Sequence, residues 1–149
     1  MDAHEGLARW HAVIESLDPA GLPPLVADGA VFRSPAVHAP QAGRDTVVGY
    51  LAAAFAVLGP NLSYQREWVG EDSAVLELTA RLDDVEVHGI DMITWDEAGL
   101  ITDFMVMVRP KRGLDAVIEQ MGTQLRRFGQ PAWRATDCAI SQRFRRIAQ

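Results

Sequence analysis

Apolar residues recur at helical spacing near the start of the chain. Leu7, Trp10, His11, Ile14 and Leu17 share one stripe, and the DPAG segment that follows stops this first helix near Asp18. A short second helix is expected around Gly21 to Ala27. The period then changes in GAVFRSP, where Val31 and Arg33 alternate with Phe32 and Ser34 up to Pro35, which predicts a brief strand. HAPQAG reads as loop from its prolines and glycine. From Arg44 the positions Val47, Val48, Leu51, Ala54, Phe55 and Leu58 restore helical spacing, until Gly59 and Pro60 end it.

The middle of the chain is patterned as strands. Leu62 to Gly70, Ser73 to Leu82, Val85 to Trp95 and Leu100 to Arg109 are separated by GED, DD and DEAG, connections short enough for antiparallel hairpins. Gly113 to Phe128 is again helical, through Leu114, Val117, Ile118, Met121 and Leu125. The last stretch, after a proline break, is expected to add at most a short helix around Ala139 to Ile147. Helices first, a meander next and a helix last predict an α+β fold: a curved antiparallel sheet wrapped by helices into a cone with an internal pocket. Residues 1–128 would form one domain, with 129–149 a basic tail or short helix.

The strand from Val85 to Trp95 is apolar on both faces. One alternate set is Val87, Gly89, Asp91, Ile93 and Trp95; the other is His88, Ile90, Met92 and Thr94. A sheet covered by helices on one side ordinarily turns polar residues outward on the other. Ile90, Met92, Met105 and Met107 are therefore expected to meet a second copy of the chain in a homodimer.

Composition narrows the class. At 149 residues and 48% hydrophobic the chain can bury one core but is short for two domains. Its most apolar run, Tyr50 to Gly59, is about half of a membrane span. The acidic start MDAHEGLARW lacks the pattern of a secretory signal, so a cytoplasmic location is expected. A net charge of −6 argues against nucleic acid as a partner. The charge is uneven: Arg109 to the end holds nine Lys or Arg against three acids, and Met1 to Val108 five against seventeen. The tail would thus lie on its own acidic body or on a partner's. Cys138 stands alone, which excludes an internal disulfide, and no two histidines sit at metal-ligand spacing. Neither a metal nor a cofactor is expected.

Two segments, ADGAVFRSPAVHAPQAGRDTVVGYL (Ala27 to Leu51) and GIDMITWDEAGLITDFMVMVRP (Gly89 to Pro110), resemble the SnoaL-like superfamily often named after nuclear transport factor 2, which includes ketosteroid isomerase, scytalone dehydratase and polyketide cyclases. The resemblance implies where chemistry should sit. Ketosteroid isomerase uses a carboxylate base to take a proton beside a carbonyl, and a tyrosine and a protonated carboxyl group to stabilise the resulting oxyanion. The carboxyl group follows an isoleucine, which matches Ile90-Asp91. The base falls at Ser34 before Pro35, and the tyrosine at Trp10. An uncharged serine cannot take a carbon-bound proton unaided, and an indole donates a hydrogen bond without exchanging its proton. The isomerase mechanism therefore does not transfer whole.

Asp91 sits within an apolar alternate set, where a carboxylate is costly unless paired or protonated. It is either a structural acid hydrogen-bonded to backbone or to a nearby Trp or Tyr, or a group that meets a ligand. Tyr50 matches a pocket aromatic of the isomerases and is a possible second catalytic group, as is His38 on the loop over the pocket mouth. His88 should face away from Asp91, and His11 is turned from Trp10. The pocket would be lined by Trp10, Ile14, Phe32, Ser34, Tyr50, Phe55, Ile93, Phe104 and Val106. Its occupant is expected to be a small hydrophobic molecule, either isomerised, dehydrated, cyclised or hydrolysed without a cofactor, or only held; a third possibility is a dimeric association domain.

Overall fold

The computed structural model describes residues 2–127, so the basic tail, the short helix expected in it and Cys138 lie outside the described residues. Helix α1 spans Ala3–Ser16, opened by the Asp2 side chain accepting from the Glu5 N–H at 3.1 Å and closed by Leu17 in the left-handed region at φ 53°. The expected second helix is instead two 3₁₀ turns, Pro19–Gly21 and Pro23–Leu25. Pro19, Pro23 and Pro24 have no N–H to give to a helical ladder, so nothing longer can form. Strand β1 therefore starts earlier than its alternation suggested, at Val26, and runs to Arg33.

Within the predicted loop, Gln41–Ala42 form a two-residue strand, β2, against Phe32 and Val31. Gly43, at φ 104°, then turns the chain into α2, Arg44–Leu58; its conformation suits a residue without Cβ. Strands β3 (Ser63–Val69), β4 (Ser73–Leu82), β5 (Val85–Trp95) and β6 (Ile101–Arg109) follow, and α3, Lys111–Arg127, ends the described chain. The six strands form one curved sheet in the order β2-β1-β6-β5-β4-β3. Only the β1–β6 pairing is parallel.

The helices pack on one face of this sheet, and the core lies between them. Trp10 of α1, Phe55 of α2 and Phe104 of β6 meet ring to ring, with centroids 5.8 Å and 5.0 Å from the indole. Burial of each such ring contributes roughly 1.5–3 kcal/mol. Two local irregularities shape the site. β3 carries one extra residue between Tyr64, opposite Leu78, and Glu67, opposite Leu76. β1 stays paired to β6 only as far as Arg33 opposite Met105.

Candidate functional site

The inner face of the sheet and the helices above it enclose an apolar cavity. Its wall includes Trp10 and Ile14 from α1, Phe32 and Ser34 from β1 and its exit, Phe55 from α2, Phe104 and Val106 from β6, and Val117, Ile118 and Met121 from α3. About 50 Å³ is open to the centre of a water molecule. At roughly 10–15 Å³ per water, that is room for about four waters or one small ring. Asp91, 6% exposed, is the one acid on this wall, and Tyr64 stands beside it.

Three polar groups are joined in a fixed direction. The Trp10 Nε1–H donates to the Tyr64 hydroxyl at 3.0 Å, and the Tyr64 hydroxyl donates to Asp91 Oδ2 at 2.6 Å. An indole N–H only donates, so tyrosine must accept there and spend its single proton on Asp91. Oδ2 is thus occupied whether Asp91 is ionised or neutral. When Asp91 is protonated, its own proton belongs on Oδ1.

Burial pushes the Asp91 carboxyl up to about 7, against the opposing pull of the Tyr64 hydrogen bond. The Tyr64 phenol is raised well above its ordinary value, first by burial and then by the charge and hydrogen bond of Asp91. Tyr64 therefore stays protonated at neutral pH, and Asp91 is the group on this wall that can gain and lose a proton there. His11 lies outside the chain of bonds. Its ring meets the edge of Tyr64 at 5.5 Å, and its Nε2 pairs with Glu67 of β3.

The expected pocket residues Trp10, Ile14, Phe32, Ser34, Phe55, Phe104 and Val106 are brought together with Asp91 on one wall. Three expected residues are placed elsewhere. Tyr50 is buried with its ring stacked on Phe32 at 5.0 Å and 22°, behind the cavity lining. Ile93 shares the inner face of β5 but is wholly covered by the core and outside the lining. His38 is exposed and lines a separate outer groove. His88 faces away from Asp91, bonded to Glu77 and Arg109 on the outer face.

Tyr64 was missing from the expected set. In SYQREWV it alternates with Arg66 and Trp68, both of which reach the exposed outer face, where the guanidinium of Arg66 lies 5.2 Å from the Trp68 ring. The extra residue in β3 breaks that phase and turns Tyr64 inward. Among the described residues, no group of three or more His, Cys, Asp or Glu is arranged to hold a metal ion.

A six-stranded curved sheet closed by helices around an apolar cavity defines an α+β cone of the nuclear transport factor 2-like, or cystatin-like, kind. The model of the SnoaL-like domain family matches residues 7–104, and the chain belongs to that family. Among solved structures, a steroid delta-isomerase from Pseudomonas aeruginosa is 43% identical, with a TM-score of 0.81 over 85% of this chain and 93% of that one. An uncharacterised protein with a cystatin-like fold from Silicibacter pomeroyi is 28% identical, with a TM-score of 0.76 over 83% of this chain and 86% of the other. A nuclear transport factor 2-like protein of unknown function from Mesorhizobium loti is 25% identical, with a TM-score of 0.63 over 72% and 90% of the two chains. A search of curated proteins returned no significant match.

Proposed function

We propose that this protein binds a small, mainly apolar molecule bearing one carbonyl or similar oxygen, and that Asp91 acts on that oxygen as hydrogen-bond donor and general acid. The directed chain Trp10 to Tyr64 to Asp91 carries this reading: two donors are consumed in orienting one carboxyl group whose proton belongs on Oδ1. An acid that titrates near neutrality suits proton transfer to a reacting oxygen. Dehydration, isomerisation, cyclisation and epoxide opening all pass through such a step, and none requires a cofactor. The likeness to the Pseudomonas aeruginosa isomerase adds support for a carbonyl ligand.

Ser34 favours a second reading. It stands on the wall where a carboxylate base would be needed, and its hydroxyl already accepts from the Ala36 N–H at 3.0 Å. Without a base, the cavity would hold its ligand and release it unchanged. Activity on a panel of enones, epoxides and cyclisable polyketide mimics separates the two. The catalytic reading expects turnover that falls at least about tenfold in Asp91→Asn, a loss of about 1.4 kcal/mol in transition-state stabilisation. Binding of small ketones that depends on Asp91, with no turnover, supports the second reading; turnover unchanged by the substitution overturns the role of Asp91.

The outer face of the sheet supports a homodimer. Met107 is 49% exposed and Trp68 51%, with Ile90, Met92 and Met105 half-buried beside them. Two copies related by a twofold axis would cover this patch. A monomeric mass at micromolar concentration would rule this out.

A further inference from the structure

Beyond Met105 strand β6 loses β1 as its neighbour. β1 pairs with β6 at Val26 and again from Val31 to Arg33, and the next two residues, Ser34 and Pro35, leave the ladder while β6 continues to Arg109. Pro35 has no N–H with which to extend the pairing, and the Ser34 hydroxyl is turned back to the Ala36 N–H. The inner cavity and an outer groove lie on either side of this point, with Ser34, Pro35 and Val106 lining both. The groove offers about 390 Å³ to the centre of a water molecule, several times the space inside.

The two chambers differ in chemistry. The inner one presents Asp91 amid apolar walls, whereas the outer one presents Arg33 and His38 above Met105 and Met107 and has no acid in its lining. Asp103 takes the Arg33 Nε–H at 2.9 Å, and among the described residues no hydrogen bond takes up the two Nη groups of that guanidinium. A guanidinium presents such N–H groups in a geometry suited to a carboxylate. The inner cavity alone holds about one ring, so a longer molecule has to extend beyond it, and the outer groove is the neighbouring space.

We propose that the ligand is an elongated keto acid, with its ketone oxygen at Asp91, its apolar chain passing between Ser34, Pro35 and Val106, and its carboxylate in the groove at Arg33 and His38. This rests on the reading of the inner cavity as a site for a carbonyl oxygen. A second copy on the outer face would roof the groove, so the measurements use the full chain in its own assembly.

Calorimetric titration with three probes tests the assignment: the short neutral ketone cyclohexanone, a long-chain keto acid with a terminal methyl ketone, and the methyl ester of that acid. The expected result is that all three bind, the long acid at least about tenfold tighter than its ester, which corresponds to about 1.4 kcal/mol. His38→Gln combined with Arg33→Gln should bring the acid-to-ester ratio near one, with far-UV circular dichroism showing that the double variant is folded. His38→Gln alone should lower the ratio in part and leaves the Arg33–Asp103 pair intact. Cyclohexanone binding with no gain for the acid over its ester overturns the groove assignment while leaving the inner site standing. A ratio that survives in the folded variants also overturns it. Failure of every ketone to bind overturns both the groove assignment and the reading it rests on.

Discussion

Asp91 and Glu77 lie on adjacent strands of one sheet, in neighbouring rungs, and their carboxyl groups are driven in opposite directions. Asp91, opposite Leu76, points inward, where burial lifts it to about 7. Glu77, opposite Ile90, points outward, where hydrogen bonds from Arg66 at 2.8 Å and His88 at 3.0 Å hold it at about 2. The intrinsic acidities of the two side chains differ little. What separates them is the face each occupies: one has a single neutral donor among apolar walls, the other two cationic or polar partners at the outer surface.

The largest effect expected from breaking this contrast is at Asp91 itself. Its folded carboxyl titrates near 7 and its ordinary value is 3.8, so the folded state holds the proton more tightly than the unfolded chain between those values. Stability from this group is complete below about 4, falls as pH rises towards 7 and is lost above it, a change on the order of 4 kcal/mol. Urea unfolding at about pH 5 and about pH 8 should therefore show wild type weaker at the higher pH. Asp91→Asn keeps an acceptor for Tyr64 but cannot ionise, so its stability should lack this fall. An equal fall in both proteins would mean that Asp91 is not the group responsible.

Tyr64→Phe should come next. It strips Asp91 of its hydrogen bond and leaves the Trp10 indole N–H without its acceptor, a loss of about 1–3 kcal/mol. Because that bond lowers the Asp91 value, its removal should move the carboxyl midpoint upward, readable by carboxyl infrared or carbon-13 titration. A midpoint that stays or falls would contradict the directed chain. Trp10→Phe retains a ring against Phe55 and Phe104 but gives up the indole N–H, with an expected cost of about 1–2 kcal/mol in chemical denaturation. The smallest effect belongs to the outer face. Glu77→Gln should lower the melting temperature only slightly and should not move the Asp91 midpoint, since its partners Arg66 and His88 stand exposed to water and salt. A clear shift of the Asp91 midpoint in Glu77→Gln would show that the two faces are electrostatically linked.

Much of this site could be read from residue order. Asp91 stood out because Val87, Gly89, Ile93 and Trp95 share its alternate set, and all four are buried with it. Trp10, Phe32, Phe55 and Phe104 fell on predicted inward faces for the same reason. Tyr64 did not, because a single extra residue in β3 reverses its face and no local pattern in SYQREWV announces the insertion. Tyr50 was expected in the pocket from a matching position, yet the stack it forms with Phe32 places it behind the lining. His38 was expected over the cavity mouth, and the exit of the chain at Pro35 carries it to the outer groove.

By itself, the sequence determined the succession of helices and strands and the burial of Asp91, because hydrophobic periodicity and proline or glycine breaks act over a few neighbouring residues. Only the tertiary structure decided which groups Asp91 meets and which space it faces. The bond from Tyr64 joins residues 27 positions apart, and that from Trp10 to Tyr64 spans 54. Such partners depend on strand register and on where pairing stops, which the whole sheet sets and no single segment encodes.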